Sequence, residues 1–92
     1  MHGSDATTLT RRGPLTAAVD AMEDSYVEWR EHADALAHAF SRWAGAPPAE
    51  QEGRFAAYVA MLDQEEAAAA DYAARVRDTR RLLNDSAADA RR

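Results

Sequence analysis

The chain has 92 residues, no cysteine, 16 acidic against 11 basic side chains and a formal net charge of −5. Those values exclude more than one domain, any disulfide or thiolate metal site, and the basic stripe that a nucleic-acid surface needs. A chain this short rarely completes a stable core by itself, and with no covalent staple the expected device is self-association or a partner helix.

Residues 1–12, MHGSDATTLTRR, are small and polar without period and are expected to form a mobile tail. They lack the apolar core of a secretory signal, and no apolar run in the chain approaches the length of a membrane span. The expectation is a cytoplasmic, acidic protein that binds no nucleic acid and has no membrane span. Every basic residue is arginine and alanine fills 23 positions, a composition typical of GC-rich bacterial genomes.

From Leu15 the large apolar residues recur every seven positions as Leu15, Met22, Trp29, Leu36 and Trp43, with Val19, Tyr26, Ala33 and Phe40 as a companion row. A seven-residue row held this long predicts a helix packed along one side. Pro14 suits its first turn and Gly45 its C-terminal cap, which places helix one at 14–44 and a turn at 45–47.

Pro47 and Pro48 end one helix and can begin another, and Glu50 and Glu52 put negative charge at its start. The seven-residue row returns as Phe55, Leu62, Ala69, Val76 and Leu83, accompanied by Tyr58, Glu65, Tyr72 and Thr79. Helix two is therefore placed at 48–83, the hairpin unit at 13–84, and residues 85–92 are expected to be a second mobile tail.

A short linker makes the two helices antiparallel neighbours. Pairing residues whose numbers sum to 98 sets Trp43 against Phe55, Phe40 against Tyr58, Tyr26 against Tyr72, and Trp29 against Ala69 beside the alanine run. The fold expected is an all-α two-helix antiparallel hairpin, coiled-coil-like, that dimerises into a four-helix bundle. Val27, Val59, Met61 and Leu82 fall off the central seam, and together with Trp43 and Gly45 at the turn they are the candidate interaction residues.

Chemistry-bearing groups are few. No serine sits in a glycine-rich elbow and the four glycines form no phosphate loop, so no enzyme is expected. Glu28 and His32 stand one turn apart on helix one, and the register brings Glu65 and Glu66 across from them. Carboxylates and imidazole facing inward from neighbouring helices are how ferritin-like bundles hold metal, although the Glu-x-x-His spacing is not completed here because Ala68 and Ala69 occupy the histidine positions. The main expectation is a non-enzymatic interaction or assembly module with no cofactor, its partner itself or another helical protein; the alternative is a metal-binding bundle that uses those four side chains.

Trp43-Ala44-Gly45 at the turn of a short two-helix chain resembles the W-x-G signature of the WXG100, or ESAT-6-like, family of small helical hairpins. The resemblance implies homo- or heterodimeric four-helix bundles, with Trp43 and Gly45 as the motif positions, and export without a cleaved signal peptide. The family's C-terminal Tyr-x-x-x-Asp/Glu export signal is missing: Val76 stands four residues after Tyr72, and Leu62 four after Tyr58.

Overall fold

A computed structural model describes the backbone of residues 2–91 and the side chains of residues 13–91. The expectation of a mobile tail at 1–12 falls on side chains outside the described residues. The chain is all-helical: α1 (His2–Ala44), a 3-10 turn (Pro48–Glu50) and α2 (Gln51–Ala90), with α1 and α2 packed against each other.

Gly13 breaks α1. Its φ of 78° and ψ of 169° are open only to glycine, and Pro14 denies the preceding residue a helical conformation, so the bend falls where these two meet. The long limb then runs from Pro14 to Ala44, as the apolar period requires.

The reversal between helices is made by backbone chemistry. The Gly45 amide donates to the Ser41 carbonyl at 3.1 Å and the Ala46 amide to that of Trp43 at 3.2 Å, which closes the last turn of α1. Pro47 has no amide to continue the ladder, and its φ of −62° and ψ of 156° turn the chain. Helical geometry resumes at Pro48, and the Gln51 side-chain amide donates back to the Ala46 carbonyl at 2.9 Å, tying the new helix to the turn. Gly45 has no positive φ, so it ends the helix without the left-handed cap conformation.

α2 continues past Leu83 to Ala90. The segment NDSAADA contains neither glycine nor proline and three of its seven residues are alanine, so nothing in it stops the helix, and all of its residues are exposed.

Three expected pairs meet across the seam: Trp43 with Phe55 at 5.0 Å between ring centroids, Phe40 with Tyr58 at 5.9 Å, and Tyr26 with Tyr72 at 5.5 Å. The seam itself is rotated from the one the apolar rows suggest. Its most buried members are small residues beside the large ones: Ser25 at 6% exposed, Ala39 at 9% and Thr79 at 5%. The second row of α1 and the first row of α2 are pushed to one side, where Tyr26, Phe40, Phe55 and Leu83 stay 45–51% exposed. Size decides this. Two helices approach closely only where their facing side chains are small, so the hairpin closes over Ser25, Ala35 and Ala39 and splays its aromatic rings to the opposite face.

Candidate functional site

The aromatic face divides into two clusters. Near the turn, Trp43 stacks on Tyr58 at 5.5 Å with 21° between ring planes, while Phe40 and Phe55 meet both of them edge-on or tilted. At mid-helix, Trp29 stacks on Tyr72 at 5.6 Å and 12°, and Tyr26 packs against both rings. Stacked and edge-to-face pairs of this kind add about 0.5–1.5 kcal/mol each beyond area burial. Trp29 was expected to lie over Ala69 and the alanine run; its ring stacks one helical turn further along α2, on Tyr72.

The clusters are half-finished cores. No large side chain among the described residues is fully buried. Rings that pack well on one side and meet water on the other define a largely apolar stripe, running along α1 through Tyr26, Ala33 and Phe40 and along α2 through Phe55, Val59, Leu62 and Val76.

The opposite face is different in kind. Ala35, Ala39, Ala57, Ala60 and Met61 line a shallow groove of about 600 Å³ whose rim carries His38, Arg42 and Arg54. Further from the turn, Ser25 donates to Asp71 Oδ2 at 2.9 Å, and the other oxygen of Asp71 pairs with Arg75 at 3.7 Å. That network closes the small-residue edge with polar contacts. It also holds Arg75 on its own helix.

The six candidate interaction residues separate between the two faces. Val59, 36% exposed, belongs to the aromatic stripe, and Val27, 55% exposed, lies beside it next to Tyr26 and Tyr72. Met61 lies in the small-residue groove and Leu82 is half-buried on the same side of α2. Trp43 is half-buried in the turn cluster. At Gly45 an added Cβ would meet only the Ser41 carbonyl oxygen at 3.5 Å, an ordinary contact.

The four candidate metal ligands are not brought to one point. Glu28 and His32 line a cleft on the small-residue face together with Gln64 and Asp71. Glu65 lies in the seam, where its carboxylate accepts the Trp29 indole N–H at 3.1 Å, and Glu66 is exposed. No group of three histidine or acidic side chains placed to hold a metal ion occurs among the described residues. None of the described helices is long and apolar enough to cross a membrane.

The sequence pattern pairs the aromatic residues across the seam but does not show that Tyr26, Phe40 and Phe55 stay half exposed. The signal that separates core from surface was present in Ser25, Ala35 and Ala39, a row of small residues on the other flank of Trp29 and Leu36. Comparison with protein-family models, with curated proteins and with solved structures found no match for this chain.

Proposed function

We propose that this chain is a protein–protein association module: a helical hairpin whose aromatic face is completed by a second helical pair, giving a four-helix bundle. One observation carries the reading. Tyr26, Phe40, Phe55 and Leu83 remain about half exposed along one stripe, although the first three each pack against an aromatic ring of the facing helix. A face of this composition is stable in water when another surface covers it, and in bundles that surface is a further pair of amphipathic helices.

The W-x-G resemblance fits this reading and gives it a family-level form, a small hairpin of the WXG100 kind that acts in pairs. Trp43 supplies the turn cluster that such a pairing would extend, at the end where both helices present aromatic rings. Work of this sort is assembly and needs neither a cofactor nor a reacting group.

Light scattering on the purified chain tests the proposal. The expected mass is twice that of the 10.1 kDa chain. A monomeric mass at all concentrations, together with an unfolding transition as sharp as that of a complete domain, would overturn it.

A further inference from the structure

The half-exposed stripe carries one charge near the middle of each helix, and the two are opposite. On α1, Arg30 interrupts the run from Tyr26 to Phe40; on α2, Glu66 interrupts the run from Phe55 to Val76. Both are exposed, and among the described residues neither has an ion-pair partner within the chain. They stand at nearly the same level of the hairpin, since their numbers sum to 96 and level residues sum to 98, as the ring pairs Trp43 with Phe55 and Tyr26 with Tyr72 show. Both lie on the outer margins of the stripe, with Trp29 and Glu65 of the seam between them.

A second copy can cover a two-helix face in two ways that respect two-fold symmetry. With the axis along the helices, the turns lie side by side and α1 faces α2 of the other copy, antiparallel, under the same level rule. Arg30 then meets Glu66 and Ala37 meets Val59, each contact occurring twice. With the axis across the helices, the turns lie at opposite ends and each helix faces its own counterpart about the hairpin's midpoint. That midpoint falls at Trp29 between Leu15 and Trp43, so Arg30 would fall within two residues of Arg30 of the other copy, and Val59 would fall beside Arg80. Opposite charges flanking an apolar seam set the orientation of helical partners, and like charges placed together oppose it.

Resting on the association reading above, we propose that the aromatic face is covered by a second copy of this chain, turn beside turn, with Arg30 of each copy paired to Glu66 of the other. Complementarity selects this arrangement: it matches the stripe's two mid-helix charges and sets small Ala37 against Val59.

The test combines sedimentation equilibrium with a distance measurement. Arg30→Glu and Glu66→Arg should each raise the dimer Kd roughly ten-fold, because two symmetric attractions become repulsions, while the double variant R30E/E66R should return to within about three-fold of the parent. Circular dichroism should show unchanged helicity in all three. The chain has no cysteine, so Ala49→Cys carries a single spin label at the turn. Labels in the proposed dimer should lie closer than about 25 Å, whereas opposed turns would set them about 40 Å apart or more at 1.5 Å of rise per residue from Leu15 to Trp43. A dimer with the long distance, or one that the double variant fails to restore, would overturn the arrangement and leave the association reading standing. A chain that stays monomeric throughout would overturn both.

Discussion

Trp29 and Glu65 meet across the seam: the indole Nε1–H donates to the Glu65 carboxylate at 3.1 Å while the same indole stacks on Tyr72. The contact explains why an acid can occupy a position of the α2 seam row that otherwise reads Tyr58, Tyr72 and Thr79. An indole has one polar hydrogen to place, and a carboxylate reaching from the facing helix accepts it.

Glu65→Ala should therefore destabilise the hairpin by about 1–2 kcal/mol, the range of a hydrogen bond to a charged acceptor reduced for partial exposure. It should also shift the fluorescence of Trp29. Asp63→Ala, on the exposed back of α2, should stay within about 0.5 kcal/mol of the parent. Equal losses in urea titrations of the two variants would mean that the Trp29 contact contributes nothing.

Ala39→Leu should be among the most damaging single changes. Ala39 is 9% exposed, the one buried apolar side chain among the described residues, and forcing extra methylenes into such a site costs about 1–3 kcal/mol. Ala69→Leu should cost less, because Ala69 lies toward the open aromatic side and Trp29 stacks on Tyr72 away from it. A reversed order of denaturation midpoints would show that the hairpin closes on the wrong edge.

The two motif residues at the turn should separate. Trp43→Ala removes a ring that packs on Phe40, Phe55 and Tyr58 and should cost about 2 kcal/mol or more. Gly45→Ala should change stability by less than about 0.5 kcal/mol, since the backbone there is open to any residue and the added methyl meets only an ordinary contact. Thermal melts of both variants check the pair.

Val59→Glu and Met61→Glu place the same charge on opposite faces. Val59 lies on the half-exposed stripe, so its variant should keep full helicity and lose association. Met61 lines the groove where α1 and α2 close together, so its variant should lose helicity as well. Size-exclusion mass and circular dichroism together separate the two outcomes.

Much of this architecture was legible in the sequence because proline, glycine and a seven-residue period act locally: Pro14, Gly45, Pro47 and Pro48 fix where helices start and stop, and Trp43, Phe40 and Tyr26 fix their register. Which side of the seam closes was harder to read. Apolar rows mark residues that avoid water, and they favour the largest side chains, whereas two helices in contact select the smallest. Ser25 and Ala39 therefore ended up buried while Phe40 and Phe55 did not. The role of Glu65 was hidden for a related reason, since beside Glu66 it reads as one of two equivalent surface acids and only the packing of Trp29 distinguishes them. The apolar period stops at Leu83, while helix propensity alone carries α2 on to Ala90.

The central claim, that the folded chain is completed by association, is tested most directly by thermal melting across a hundred-fold range of protein concentration. When the folded species is an oligomer, mass action stabilises it as concentration rises, and the melting temperature should climb by several degrees over about two decades. Val59→Glu should abolish that dependence. A melting temperature that stays constant across the whole range, for a chain of monomeric mass, would contradict the account: the aromatic face would then be stable in water on its own.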